Sequence, residues 1–201
     1  MTFDMKPEVQ LDTNYYKVLE IKNLTESTFV LKLPKSRFKF YAGQHISLSI
    51  KGDYQSREYS IYSAEEGDYV EIHGPFGRFG LDKKKKDTHQ HVFIASGTGI
   101  APFHSMVLSD PELNYQLILG VRYANEAYEK EHYAADRFVL CTTRDETGNF
   151  KGRVTDYIKQ TEFDEKTSFY LCGNSDMIFD AMEILKEKGF ERDNVNVEVY
   201  F

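Results

Sequence analysis

The chain has 201 residues, enough for one large domain or two small ones, and 41% of them are hydrophobic. Residues 1–88 carry 14 basic and 13 acidic side chains, whereas residues 89–201 carry 11 and 19, so no broad basic surface for nucleic acid is predicted. No apolar run approaches the roughly 20 residues of a membrane span, and residues 1–9 lack the apolar segment of a secretory signal. We therefore expect a cytoplasmic protein without a membrane span.

The first part of the chain contains short segments that alternate between apolar and polar residues, separated by turns rich in glycine and proline. Strands are predicted at 15–24, 28–33, 44–50, 57–62 and 69–73, and Gly-Pro-Phe-Gly at 74–77 closes the series. Short strands at this spacing are typical of an antiparallel barrel or sandwich.

Beyond residue 88 the predicted strands alternate with helices. The strands are 91–95, 115–121, 137–142, 168–172 and 195–200, and the helices are 101–108, 125–135, 153–159 and 176–188. This alternation predicts a parallel sheet covered on both faces. We place the domain boundary near Thr88, which gives an antiparallel β domain over residues 1–88 and an α/β domain over residues 89–201.

The strand at 91–95 leads into two glycines, Gly97 and Gly99, and then into a helix with Pro102 in its first turn. Such a turn can hold an anion, because backbone N–H groups point outward and the helix dipole adds partial positive charge. The turn departs from the Gly-x-Gly-x-x-Gly dinucleotide pattern, since Pro102 stands at the place of the third glycine. Taken alone, it leaves an anion site and a plain strand-to-helix turn as equal alternatives.

The chain has two cysteines, Cys141 and Cys172. They are too few for an iron–sulfur cluster, which needs four thiolates or two thiolates with two histidines, and the histidines show no zinc-ligand spacing with either thiol. No metal site is therefore predicted. Cys172 ends a predicted strand, the place where parallel sheets bind ligands, and its alternative role is that of a small buried apolar residue.

Five motifs occur in a fixed order along the chain. They are Arg-x-Tyr-Ser at 57–60, Gly-Pro-Phe-Gly at 74–77, Gly-Thr-Gly-Ile-Ala-Pro at 97–102, Cys-Gly-x-x-x-Met at 172–177 and Glu-x-Tyr-Phe at 198–201. As an ordered set they resemble the ferredoxin–NADP reductase family, from about residue 15 to the end of the sequence. The resemblance implies a flavin-binding antiparallel β-barrel followed by an NAD(P)-binding α/β parallel-sheet domain.

The resemblance also implies a flavin site on the barrel. Arg57 would hold the flavin phosphate, Tyr59 would stack on the isoalloxazine ring, and Ser60 would hydrogen-bond near flavin N5. Tyr200 or Phe201 would cover the other face of the ring. The remaining positions assigned to the flavin are Ile61, Tyr62, His73 and Gly74.

A nicotinamide nucleotide site is implied on the α/β domain. Gly97, Thr98 and Gly99 would take the pyrophosphate and ribose, and Cys172 and Gly173 would border the nicotinamide. The remaining nucleotide positions are Ile100, Pro102, Arg122 and Met177.

The implied catalytic residues are Ser60, Cys172 and Glu198, of which Ser60 and Glu198 can relay a proton toward flavin N5. Arg144 and Arg153 match the positions that bind the 2′-phosphate in bacterial members, which favours NADP(H) over NAD(H). The alternative is that both are ordinary surface arginines.

One departure from the family concerns the flavin. Relatives usually insert a strand and a helix before the Gly-Pro-Phe-Gly motif, and that helix binds the FAD pyrophosphate; here only residues 61–73 fill the interval. FAD is the expected cofactor, and FMN is the alternative because the pyrophosphate-binding helix is missing.

The function implied is electron transfer between NADP(H) and a one-electron carrier such as ferredoxin or flavodoxin. Three alternatives share the same core. They are the reductase component of a multicomponent oxygenase, a free-flavin reductase, and an electron-transfer subunit of a larger complex. The first usually carries a fused iron–sulfur domain, for which two cysteines are too few.

Overall fold

A computed structural model of the chain describes residues 15–25, 28–33, 41–50, 56–61, 67–76, 78–128 and 130–200. Within these ranges an antiparallel five-stranded sheet is followed by a parallel six-stranded sheet. The two-part fold class predicted from the sequence is thereby confirmed. No helix in these ranges has both the length and the apolar character needed to cross a membrane.

The antiparallel sheet has the strand order β2-β1-β5-β3-β4. Its strands are β1 (Tyr15–Asn23), β2 (Phe29–Lys32), β3 (His45–Ile50), β4 (Ser56–Ser60) and β5 (Gly67–Phe76). A small core lies against it, formed by Val18, Leu33, Ile46, Leu48 and Ile61.

β5 is longer than predicted, because it continues through the Gly-Pro-Phe segment that the sequence suggests as the end of the series. His45 pairs with Phe76 and Ser47 pairs with His73, so β5 has one more residue than β3 between these pairs. The extra residue forms a bulge around Pro75, which has no N–H for the sheet and is tolerated in a strand at such irregularities.

The parallel sheet has the strand order β11-β10-β6-β7-β8-β9. Its strands are β6 (Gln90–Ser96), β7 (Tyr115–Val121), β8 (Phe138–Thr142), β9 (Phe150–Lys151), β10 (Thr167–Asn174) and β11 (Val195–Tyr200). The α-helices are α1 (Ala101–Ser109), α2 (Val154–Gln160) and α3 (Ser175–Glu187). β9 was not predicted, since two residues are too few to show an alternating pattern.

Both faces of the parallel sheet are buried, as predicted. Phe93 and Ala95 of β6 belong to a core shared with α1, whereas Val92 and Ile94 belong to a core shared with α2 and α3. All four of these side chains are fully buried. β6 is therefore covered on both sides, which explains its continuous apolar sequence.

The prediction of a helix at residues 125–135 is wrong. The chain forms two short 3₁₀ turns there, Ala124–Glu126 and Lys130–His132. The Glu126 carboxylate accepts the backbone N–H groups of Arg122 and Tyr123, which fixes the first turn. Tyr133 is buried and stacks on Phe138 with ring centroids 5.4 Å apart. These contacts outweigh the intrinsic helix propensity of the segment.

Candidate functional site

The ends of β6 and β10 approach each other so closely that only glycine fits between them. A Cβ on Gly99 would lie 2.3 Å from the carbonyl oxygen of Cys172. A Cβ on Gly173 would lie 2.3 Å from Ser96 Oγ, and Gly173 has a φ of +132°, which side-chain-bearing residues rarely adopt. Ser96 Oγ also accepts the N–H of Asn174. Two predicted nucleotide-binding glycines are thus brought together at one edge of the sheet.

The glycine turn is a 3₁₀ helix, Gly97–Ile100, that continues directly into α1. Gly97 has a φ of +53° with open space around the position of a Cβ, and Thr98 is exposed. Ile100 and Pro102 are buried, and Pro102 lies in the first turn of α1 as predicted. Gly97 is thus half-buried and Thr98 exposed, whereas the buried Ile100 and Pro102 anchor the turn.

The three arginines of the predicted nucleotide site follow the carboxyl ends of neighbouring strands. Arg122 comes after β7, Arg144 after β8 and Arg153 after β9, and all three are exposed. The N–H of Arg144 donates to the carbonyl of Arg122 over 2.8 Å. The guanidinium of Arg122 is 3.2 Å from Glu126. Because carboxyl ends of parallel strands share one edge, all three lie on the edge that carries the glycine turn.

Asp145 fixes the loop that carries Arg144. Its carboxylate accepts the N–H of Ala124 over 2.7 Å and both the N–H and the hydroxyl of Thr147 over 3.0 Å. Hydrogen bonds from the backbone N–H groups of Ala124 and Thr147 lower the pKa of Asp145. This aspartate is thus a structural clamp between two loops of the site.

Cys172, Glu198 and Tyr200 lie together at the ends of β10 and β11. Cys172 pairs with Glu198 across the two strands. Burial raises the pKa of the Cys172 thiol, and the carboxylate of Glu198 raises it further, so the thiol stays protonated and does not act as a thiolate nucleophile. Burial also raises the pKa of the Tyr200 hydroxyl, which interacts with this thiol.

His45 joins the two sheets at this site, and the sequence analysis did not identify it. His45 is the first residue of β3 and pairs with Ser60 of β4. Its Nδ1 lies 3.5 Å from Oε1 of Glu198, and its Nε2 lies 3.9 Å from Oε1 of Glu58. The available signal was a histidine at the start of the strand next to the Arg-x-Tyr-Ser strand, but only the pairing of β3 with β4 shows its place.

Buried oxygens without a hydrogen-bond partner within the part of the chain that the structure describes occur at this junction. Ser60 Oγ and Glu198 Oε2 are among them. Burying a polar atom without a partner is unfavourable, and such atoms in a native structure often serve a ligand. Both belong to residues predicted to act at flavin N5, so the residues present fit a flavin ring in this place.

The other predicted flavin residues are distributed around β4 and β5. Arg57 is exposed, Tyr59 packs against the small core of the antiparallel sheet, and Ile61 is buried in that core. His73 and Gly74 lie in the backbone of β5. Tyr62 and Phe201 lie outside the described residues.

Met177, predicted to bind nucleotide, packs against the apolar core on the α2 and α3 side of the sheet. Cys172 belongs to the core on the α1 side. A metal centre is not among the features of the site, since no group of three or more histidine, cysteine or acidic side chains suited to a metal occurs in the described ranges.

Comparison with known proteins gives consistent matches. Residues 93–183 match the oxidoreductase NAD-binding domain family. The toluate 1,2-dioxygenase electron transfer component of Pseudomonas putida is 26% identical over 91% of this chain and 66% of its own length. The probable dihydroorotate dehydrogenase B (NAD(+)) electron transfer subunit of Archaeoglobus fulgidus is 26% identical over 87% of this chain and 79% of its own length.

A solved structure with a similar fold is the ferredoxin–NADP+ reductase of Plasmodium falciparum with 2′P-AMP. It aligns with a TM-score of 0.73 and 19% identity over 93% of this chain and 96% of that chain. The present chain spans just under two thirds of the length of the Pseudomonas protein. Residues 93–183 thus match an oxidoreductase NAD-binding domain, and the fold as a whole is similar to that of ferredoxin–NADP+ reductase.

Proposed function

We propose that the chain is a flavin-dependent oxidoreductase that transfers electrons between NAD(P)H and a one-electron carrier such as ferredoxin or flavodoxin. The observation that carries this proposal is the contact between His45 and Glu198, which brings the antiparallel and parallel sheets together. Ser60 Oγ and Glu198 Oε2, which are buried without a hydrogen-bond partner among the described residues, belong to this junction. The glycine turn lies on the same edge of the parallel sheet as Glu198.

The residues have separable roles in the proposed reaction. A flavin held at this junction would supply the hydride acceptor for the nicotinamide and the one-electron donor for the carrier. The backbone at Gly97 and Thr98 would bind the nucleotide pyrophosphate, and the neutral Cys172 would border the nicotinamide without reacting. Ser60 Oγ and Glu198 Oε2 would orient the flavin ring and hold a proton beside it.

FAD is the proposed flavin, with FMN as the alternative. β4 ends at Ser60 and β5 begins at Gly67, so only residues 61–66 connect them. This connection is too short for an additional strand and helix that would bind a pyrophosphate. The adenylate half of FAD would therefore depend on other groups of the chain.

The proposal is tested by identifying the cofactor and its reductant. The purified chain is expected to be yellow after gel filtration, to release FAD on heating, and to lose its visible flavin absorbance when NADPH or NADH is added without oxygen. Added ferredoxin is then expected to restore the absorbance. A colourless protein that is active only with added flavin would instead identify a free-flavin reductase.

Arg144 and Arg153 support NADP(H) as the preferred nucleotide. Replacing Arg144 with alanine is expected to weaken NADPH binding by about tenfold or more, because a charge-assisted hydrogen bond to a phosphate contributes about 1.5–3 kcal/mol and each 1.4 kcal/mol or so is a factor of ten. NADH binding should change little. Arg192→Ala is the matched control, since Arg192 is exposed and precedes β11 at the opposite edge of the sheet. Equal losses for both nucleotides would contradict the 2′-phosphate role.

An electron-transfer subunit of a larger enzyme is the second candidate function. It is favoured by the Archaeoglobus relative, which is named as such a subunit and of which the chain spans 79%. The two candidates differ in their acceptors. An isolated chain that reduces ferredoxin or flavodoxin as fast as a small dye supports the first function, and one that reduces only the dye supports the second.

A further inference from the structure

Three titratable side chains form a line from the surface to the buried junction of the two sheets. Glu58 is 66% exposed, His45 is 21% exposed and Glu198 is 16% exposed. Each nitrogen of the imidazole faces a different carboxylate, with Nε2 toward Glu58 and Nδ1 toward Glu198. The imidazole therefore stands between an outer and an inner carboxyl group.

The inner carboxyl group is held at one oxygen and free at the other. Oε1 of Glu198 faces His45, whereas Oε2 is buried without a hydrogen-bond partner among the described residues. The separations of 3.5 and 3.9 Å exceed a direct hydrogen bond, and a small side-chain rotation or a bridging water closes them. This geometry suits proton exchange on one side of the carboxyl group and ligand contact on the other.

We propose that His45 is a positioning residue for Glu198: it holds Oε1, leaves Oε2 free for the flavin ring, and exchanges protons between Glu198 and the exposed carboxyl of Glu58. This inference rests on the proposed flavin chemistry. Each passage moves one proton, because the imidazole takes up a proton at one nitrogen and releases one from the other. No bond between heavy atoms forms or breaks.

The electrostatics of the site support this role. Burial raises the pKa of Glu198, the nearby imidazole of His45 lowers it, and the negative charge of Glu58 raises it. Among the described residues, the other titratable and charged groups around Glu198 include Cys172 and Tyr200, both with raised pKa values, and Arg78, which lines a small cavity with it. His45, at the start of β3, thus favours the ionised form of the Glu198 carboxyl group.

The first test measures the titration of Glu198 in the full chain as purified. The protein is labelled with ¹³C-glutamate, and the Glu198 carboxyl signal is assigned by its absence in Glu198→Gln. His45→Gln is expected to raise the pKa of Glu198, because the imidazole is removed, and Glu58→Gln is expected to lower it. His89→Gln is the control, since His89 bonds Thr88 before the start of β6 and should change nothing.

The second test measures the rate of flavin reduction by NADPH against pH. His45→Gln is expected to slow reduction by about tenfold and to change the pH profile. The factor is smaller than the roughly 100-fold or more contributed by a group that itself transfers the proton, because His45 acts through Glu198. Wild-type rate and pH profile in a folded His45→Gln protein would overturn the relay. If that variant does not fold, as judged by circular dichroism, His45→Asn replaces it.

The two tests separate the failure of this inference from the failure of the proposed function. The carboxyl titration is measurable whether or not a flavin is bound. A colourless protein overturns the proposed function, and unchanged Glu198 titration in His45→Gln and Glu58→Gln overturns the present inference. Opposite shifts in the two variants, together with a slowed reduction in His45→Gln, support it.

Discussion

Replacing Gly99 with alanine is expected to lower the free energy of unfolding by about 1–3 kcal/mol, the usual cost of forcing an atom into a packed interior. The added Cβ would lie 2.3 Å from the Cys172 carbonyl oxygen and 2.8 Å from the Gly173 Cα. These are backbone atoms of β10, so they cannot move aside as a flexible side chain would. The end of β10 and the glycine turn that follows β6 must therefore separate. This separation would disturb the nucleotide site, and a loss of about 1.4 kcal/mol of binding free energy there would lower nucleotide affinity about tenfold.

Urea unfolding and titration with NADPH measure the two effects. Gly80→Ala is the matched control, because its Cβ would make an ordinary contact of 3.5 Å with the Ala42 carbonyl oxygen. The control should unfold and bind nucleotide like the wild type. A Gly99→Ala protein with wild-type stability would show that Gly99 lies farther from Cys172 and Gly173 of β10 than a 2.3 Å Cβ contact implies. Normal affinity in a destabilised variant would place the nucleotide elsewhere.

Glu198→Gln is expected to reduce turnover by about 100-fold or more. At pH values above neutral, it is also expected to melt at a higher temperature than the wild type. The loss of turnover follows from losing a proton-holding group, which contributes at least about that factor to catalysis. The gain in stability follows from the pKa of Glu198, which burial raises above the ordinary value of 4.5. The ionised carboxylate thus opposes folding, and the neutral amide of glutamine has no such charge to bury.

The sign of the stability effect depends on pH in a defined way. Below pH 4.5 the carboxyl is protonated in both folded and unfolded chains, so the carboxyl and the amide should differ little. As the pH rises from 4.5 through the raised folded pKa, the folded wild type retains more protons than the unfolded chain and loses stability. Melting curves at pH 4 and pH 8 test this, with the exposed Glu165→Gln as control. If Glu198→Gln melted at a lower temperature than the wild type at pH 8, the predicted gain in stability would be contradicted.

The position of the glycine turn could be predicted because it depends on local sequence rules, whereas the functional roles of the site residues were implied by the family resemblance and stay predictions. The glycines at 97, 99 and 173 were expected at strand ends, and Gly99 and Gly173 lie where a Cβ would meet neighbouring backbone or the Ser96 side chain. The family resemblance assigned Arg144 and Arg153 to one phosphate. They follow the neighbouring strands β8 and β9, whose carboxyl ends share one edge of the sheet, but β9 was not predicted, so the strand pattern alone did not place Arg153.

His45 and the segment at 125–135 could not be predicted because their structure depends on distant residues. The contact of His45 with Glu198 joins residues that are far apart in the sequence, and the local pattern of β3 does not indicate it. At 125–135 the stacking of Tyr133 on Phe138 and the hydrogen bonds of Glu126 replace the expected helix. Local propensity is a weak guide where tertiary contacts of this kind compete with it.

The glycine turn continues from β6, whose central side chains are fully buried on both faces of the sheet. Local opening of such a strand requires disruption of both cores, so its amides should be among the slowest in the protein to exchange with deuterium. The backbone that would meet the pyrophosphate is therefore preorganised. Nucleotide association should involve little loss of conformational entropy at this turn.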